Sequence, residues 1–190
     1  NIERTLDNSG FLSASVLTNE GIINIEGALG GTFTNKGIIN VESNGSIWTT
    51  KSIINDYGAI INNEGSLRSQ DTINNKGTIT NNKILNNFDI LINSGIITNN
   101  DTIDNLNIII NDGTINNVGK LNNVGTIENN DTITNAGSGT INNEFTNNAG
   151  TFTGTITGND IIDNQPAMGT FTLSKSTCET MGGFWGGSTC

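Results

Sequence analysis

An apolar residue recurs every six positions through the middle of this chain, and this period limits the possible folds more than any other feature. Eleven consecutive hexads run in step, each beginning with Ile or Leu. A period of six does not match the 3.6 residues per turn of an amphipathic helix, and the β-branched residues around each apolar position favour short strands. The residues that begin the hexads, called lead residues below, are Ile73, Ile79, Leu85, Leu91, Ile97, Ile103, Ile109, Ile115, Leu121, Ile127 and Ile133.

Asparagine follows every one of these lead residues two positions later. An asparagine that occupies the same place in successive layers of a structure can form a ladder, in which each side-chain amide satisfies the polar groups of its neighbour. The repeat therefore predicts that these asparagines stack on one another. They are Asn75, Asn81, Asn87, Asn93, Asn99, Asn105, Asn111, Asn117, Asn123, Asn129 and Asn135.

Glycine, aspartate or asparagine stands four positions after nearly every lead residue, and only Lys83 departs from this rule. These residue types tolerate left-handed and turn conformations, so they predict a bend in every hexad. Bends at this spacing leave too little strand for a meander of hairpins. They are typical of a solenoid, in which each turn buries its apolar row against the turns above and below.

The number of hexads in each coil follows from residues that resemble one another at a larger interval. Phe88, Leu106 and Val124 are spaced by 18 residues, as are the lead residues Leu85 and Ile103. This interval predicts an all-β fold, a parallel β-helix (β-solenoid) with three hexads in each triangular coil. We expect residues 1–163 to form the β-solenoid, in which residues 6–163 make roughly nine coils in a rod of ~40 Å. We expect residues 164–190 to form a small C-terminal cap.

The repeat is looser outside its central part. Segments that begin at Leu17, Phe33 and Ile54 each have an apolar lead residue and a glycine four residues later. After Ile133, an insertion at 137–139 shifts the register before the pattern continues to about Asp163.

The C-terminal segment has a different character. Cys178 and Cys190 are the only two cysteines and flank a glycine-rich loop. Their spacing suits a disulfide rather than a four-ligand zinc site, and a disulfide implies an oxidising, extracellular setting. The loop contains Met181, Phe184 and Trp185, which we expect either to cap their own rod or to plug the first coil of a neighbouring molecule. The second arrangement is favoured because no matching cap precedes Leu6.

Charge and composition exclude several classes of partner. Eighteen acidic and eight basic residues give a formal charge of −10, which disfavours nucleic acid and anionic lipid as partners. No apolar run approaches the ~20 residues that span a bilayer, so we expect no membrane insertion. The chain begins at Asn1 without a signal-like segment, which indicates a processed chain. Candidate glycosylation sequons at Asn44, Asn100 and Asn130 are compatible with secretion.

The sequence offers few candidate residues for catalysis or metal binding. The chain has no histidine, and Arg4 and Arg68 are its only arginines, so we name no catalytic residue and expect neither enzymatic activity nor a cofactor. Calcium is a minority possibility, because single carboxylates stand at or near several bends. Thr-x-Thr pairs would suit an ice-binding face, but Ile96 and Asn116 interrupt the threonine rows. Stacking of sugars on Phe184 and Trp185 is a further alternative to their packing within the cap.

Three segments carry a resemblance to a known group of proteins: "KGTITNN" from Lys76, "VGTIENNDTITNAG" from Val124, and the ending "CETMGGFWGGSTC". The chain resembles the Asn/Thr/Gly-rich repeat proteins that are abundant among predicted secreted and cell-surface proteins of archaea, notably ammonia-oxidising ones. Its ending resembles the C-x-x-x-G-G-x-W-x-G-x-x-C loops of such surface proteins. The resemblance implies a surface location and a structural or adhesive role.

These observations lead to one hypothesis and one alternative. The chain is predicted to be a structural subunit of an extracellular filament or surface fibre, with other copies of itself as head-to-tail partners. The alternative is a monomeric cell-surface adhesin or carbohydrate-binding stalk, for which cell-surface glycans would be the partner.

Overall fold

The computed structural model describes residues 1–143 and, as backbone only, the short segments 152–153, 156–158 and 161–163. The described residues form 24 β-strands and no helix. The strands are β1 (Thr5–Asn8), β2 (Phe11–Asn19), β3 (Ile22–Ile25), β4 (Ala28–Asn35), β5 (Ile38–Val41), β6 (Ser46–Thr49), β7 (Ile53–Asn55), β8 (Ile60–Asn63), β9 (Ser66–Ser69), β10 (Ile73–Asn75), β11 (Thr78–Asn81), β12 (Ile84–Asn87), β13 (Ile90–Asn93), β14 (Ile96–Asn99), β15 (Thr102–Asn105), β16 (Ile108–Asn111), β17 (Thr114–Asn117), β18 (Lys120–Asn123), β19 (Ile127–Asn129), β20 (Thr132–Asn135), β21 (Thr140–Asn143), β22 (Phe152–Thr153), β23 (Ile156–Gly158) and β24 (Ile161–Asp163).

The strands wind into a parallel β-solenoid with three faces, as the repeat predicts. The first face is a sheet of nine strands, in the order β1-β3-β5-β8-β11-β14-β17-β20-β23. A second sheet of fifteen strands covers the other two faces, because β2 and β4 are long enough to turn a corner. The first half of β4 pairs with β6 on the second face, and its second half pairs with β7 on the third.

Each central coil contains 18 residues. Ile73 pairs with Leu91 on the third face, and Leu85 pairs with Ile103 on the second. Three hexads per coil are therefore confirmed. The nine strands of the first face enclose about eight turns, fewer than the roughly nine expected from the length. The difference arises because some coils are longer than 18 residues, as where Ile39 pairs with Ile61.

The core is a column of apolar side chains at the centre of the triangle. Every predicted lead residue is at most 1% exposed, which confirms the assignment made from the repeat. Leu17 and Phe33 are also buried, but the prediction that Ile54 is a lead residue is wrong: Ile53 is buried and Ile54 faces outwards. The next buried residue of this column type, Ile61, follows Ile53 by eight positions instead of six. Counting four positions back from Gly58 therefore gave Ile54, one residue after the true lead residue.

The extra residues of such eight-residue steps are accommodated in wider turns. Gly58 and Gly137 adopt positive φ angles of 74° and 63°, a region that favours glycine. The predicted insertion at 137–139 lies in the second of these turns, between β20 and β21, and the register shift is confirmed.

Glycines at the regular bends have a different role from the one expected. Positive φ among the described glycines is confined to Gly31, Gly58 and Gly137, so the bends of the central hexads do not use the left-handed region. Instead, a Cβ atom on Gly95 would lie 2.1 Å from the carbonyl oxygen of Gly77 in the preceding coil. A side chain at Gly95 would therefore require the local backbone to shift, as it must where Ala59 and Asp131 occupy the equivalent position in other coils.

Candidate functional site

The predicted asparagine ladder is present, once on each face of the solenoid. Each side-chain Nδ2 donates a hydrogen bond of 2.7 to 2.9 Å to the Oδ1 of the asparagine one coil later. These asparagines are at most 3% exposed. The three buried ladders run through Asn19, Asn35, Asn55, Asn75, Asn93, Asn111 and Asn129 on the third face, through Asn63, Asn81, Asn99, Asn117 and Asn135 on the first, and through Asn87, Asn105 and Asn123 on the second.

The ladders differ in how strongly they are tied to the backbone. Asn99 also donates to the carbonyl oxygens of Asp101 and Lys120, so it binds two bends as well as the next asparagine. The described side-chain hydrogen bonds of Asn105 are confined to Asn87 and Asn123. The second-face ladder begins at Asn87, whose buried Oδ1 has no partner among the described residues, because Ser69 occupies the equivalent place one coil earlier.

Shorter ladders on the outer surface have the opposite direction. Asn62 donates to Asn40, Asn40 to Asn24, and Asn24 to the carboxylate of Asp7, each towards the N-terminus. A carboxylate ends such a ladder because it only accepts hydrogen bonds. The same termination occurs at Glu64, Asp89, Asp104 and Asp112. Many surface carboxylates therefore have a structural role as ladder ends.

The first coil leaves the N-terminal end of the solenoid open within the described residues. Leu6 and Leu12 are half-buried, whereas their counterparts Ile23 and Leu29 in the second coil are at most 1% exposed. Strand β1 is the last strand of its sheet, and the first half of β2 pairs only with β4. Apolar side chains and a backbone edge are thus presented together at this end.

The backbone groups at this edge can be assigned from the hydrogen bonds to the second coil. The carbonyl oxygens of Arg4 and Asn8 accept from the N–H groups of Ile22 and Glu26. Successive residues of a strand direct their backbone groups to alternate sides. Thr5 and Asp7 therefore direct their N–H and C=O groups to the open end, which makes β1 an edge available for pairing.

A groove of about 490 Å³ lies near the same end, at the corner between the second and third faces. Its floor includes Gly30 and Gly31, and Phe11 and Trp48 stand beside it with 77% and 58% of their surface exposed. Gly31 has a φ of 107° opposite a bulge in β2, where the strand turns the corner. The repeat gave no indication of this groove.

Arg68 supports Trp48 from the side that faces away from the groove. Its guanidinium lies 5.6 Å from the centre of the Trp48 ring and 4.5 Å from that of Phe88. Such cation–π contacts stabilise exposed aromatic side chains. Arg68 makes no salt bridge within the described part of the chain, so its recognisable role there is to support Trp48.

The residues predicted to carry modifications or to cap the rod have different outcomes. Asn44, Asn100 and Asn130 are exposed at turns or bends, and their glycosylation stays a prediction. The proposed disulfide between Cys178 and Cys190, and the cap residues Met181, Phe184 and Trp185, lie outside the described residues.

The described residues offer no cluster of side chains that could hold a metal ion. Nowhere in residues 1–143 do three or more metal-ligating side chains come together as a candidate metal site. The pKa of Asp71 lies below its ordinary value, chiefly because the backbone N–H of Thr72 donates to its carboxylate. The described part of the chain also has no helix that is long and apolar enough to cross a membrane.

Comparison with protein-family models, curated proteins and solved structures finds no match to this chain. Arguments about function therefore depend on the open first coil, the ladders and the groove.

Proposed function

We propose that this protein is a structural subunit of an extracellular filament or surface fibre, and that subunits join by end-to-end stacking of their coils. The observation that carries this proposal is the open first coil. There Leu6 and Leu12 are half-buried, and the backbone groups of Thr5 and Asp7 face outwards. A coil from a second copy would bury the apolar side chains and pair the backbone edge.

The uniform construction of the coils supports the same proposal. Each coil is the template on which the next one stacks, so a terminal coil offers a neighbouring molecule the contacts that an inner coil offers within the chain. Contact between two different ends does not close on itself, and it generates an open fibre. The asparagine ladders and the glycine-rich bends would supply the hydrogen bonds and the matching shape of the two ends. Catalysis has no part in the proposed role.

The proposed junction can be tested at Thr5, an exposed residue whose N–H faces the open end. Thr5→Pro removes this donor and places a ring in the path of an incoming strand, while leaving the hydrogen bonds to the second coil intact. Sedimentation and electron microscopy of the full chain should show fibres for the unchanged protein and shorter or absent fibres for Thr5→Pro.

The matched control is Thr5→Ala, which retains the N–H and should assemble normally. Circular dichroism and a melting curve establish that both variants fold. A folded Thr5→Pro variant with fibres of unchanged length and critical concentration would contradict the proposed junction. If the unchanged chain instead formed isolated rods only, the alternative of a monomeric adhesin or carbohydrate-binding stalk would take precedence.

A further inference from the structure

The groove beside Gly30 combines two features that the stacking role does not require. Phe11 and Trp48 are large aromatic side chains with most of their surface exposed, more than the partly exposed apolar residues of the central coils such as Leu106, at 47%. Hydroxyl groups surround them, from Ser13, Ser15, Thr32, Ser46 and Thr50. This grouping is unlike the amide ladders on the rest of the surface, and it calls for a separate explanation.

The register of the strands shows which residues of the groove lie next to one another. Ser13, Gly30 and Trp48 occupy the same position on three successive strands of the second face. Gly30 has no side chain and is itself buried, and the aromatic rings of Phe11 and Trp48 stand over this part of the floor of the groove. The ring of Phe11 lies close above the glycine, where a Cβ atom would be 3.6 Å from its Cζ.

Trp48 is held in place on the side away from the groove. It pairs across the sheet with Arg68, whose guanidinium stacks on the indole and on Phe88. The indole is therefore fixed at one side and open at the other, next to Gly30. A preorganised aromatic surface of this kind loses little conformational entropy when a ligand stacks on it.

The chemistry of the lining selects the class of ligand. A sugar ring has an apolar C–H surface that stacks on aromatic rings and a rim of hydroxyls that exchange hydrogen bonds with Ser and Thr. The groove has no carboxylate in its lining, so it offers no partner for a cation. Strands β4 and β6 beneath Trp48 are paired on both sides, so the backbone edge at the groove is that of β2, which belongs to the open end of the solenoid.

We propose that this groove binds an oligosaccharide, with one sugar ring beside Gly30 and stacked on Trp48. Ser46 and Thr50 lie where they can exchange hydrogen bonds with the ligand's hydroxyls, and Lys51 adds a donor. The groove lies within a single chain, so its binding of an oligosaccharide can be measured on unassembled rods.

Isothermal titration calorimetry of the full chain with chitohexaose, cellohexaose and mannohexaose tests the proposal. We expect saturable binding of at least one of these probes. Trp48→Ala should weaken it by at least tenfold, and Trp48→Phe should weaken it less. Gly30→Val, whose larger side chain would displace the Phe11 ring that lies over the glycine, should also weaken it.

Tyr57→Ala is the matched control, since Tyr57 is 74% exposed but lies on a turn away from the groove. It should bind the probe as the unchanged chain does. Equal affinity in folded Trp48→Ala and Gly30→Val variants would overturn the assignment, as would the absence of binding to all three probes. Loss of oligosaccharide binding with intact fibres would separate this site from the stacking junction.

Discussion

At the scale of the residue, asparagine serves two kinds of ladder with opposite direction. Buried amides such as Asn105 donate towards the C-terminus, while outer amides such as Asn40 donate towards the N-terminus and end on a carboxylate. A buried amide satisfies both neighbours in its column, so each one is worth more than an exposed pair. This is why asparagine recurs without exception two positions after the lead residue.

Replacement of Asn105 measures the value of one ladder step. Asn105→Ala leaves the buried Nδ2 of Asn87 and Oδ1 of Asn123 without their partner. We expect the free energy of unfolding to fall by about 1 to 3 kcal/mol, which denaturant titration would measure. Asn116→Ala on the outward side of β17 is the control and should change stability little; equal stability of both variants would show that the buried ladder contributes nothing.

At the scale of the element, each hexad combines a short strand with a bend at which two coils nearly touch. At Gly95 the backbone of the preceding coil lies where a Cβ atom would be, so a side chain at this position needs a local shift of the backbone. The residue types at the bends could be read from the sequence. Their reason could not, because the close approach is between residues 18 positions apart and follows only from the stacking.

Gly95→Ala tests this close approach. The added methyl group must displace the backbone of the preceding coil, so we expect the free energy of unfolding to fall by about 1 to 3 kcal/mol. Gly10→Ala is the matched control, since nothing lies within 4 Å of a Cβ atom at Gly10. Thermal melts of the two variants that coincide with that of the unchanged chain would contradict the steric explanation.

The same elements show which parts of the fold were predictable. The strict period gave the lead residues, the asparagines and the 18-residue coil, because every coil from Ile73 to Ile133 repeats the same contacts. The coils before residue 67 vary in length, so periodicity misplaced the lead residue at Ile54. The groove was missed for the same reason: Phe11 and Trp48 come together only once the lengths of the first coils and the bulge in β2 are known.

At the scale of the whole molecule, the solenoid is a stack of coils. Its first coil could pair with a further coil in the same way as the inner coils pair with one another. Neighbouring coils contact each other over all three faces, and this contact has no inherent end. The sequence predicted such a rod, but periodicity alone could not show that Leu6 and Leu12 would be left half-buried at its end. We propose that this surface joins subunits and that the groove beside it binds an oligosaccharide.

Cryo-electron microscopy of the full chain at several dilutions tests end-to-end stacking most directly. The account predicts polar fibres in which the coils are ~4.8 Å apart and the subunit repeat equals the length of one rod, about 40 Å. Parallel measurements with and without reductant would show whether the predicted Cys178–Cys190 disulfide contributes to the joint. Isolated rods at every concentration, or fibres whose repeat does not correspond to one rod, would contradict the account.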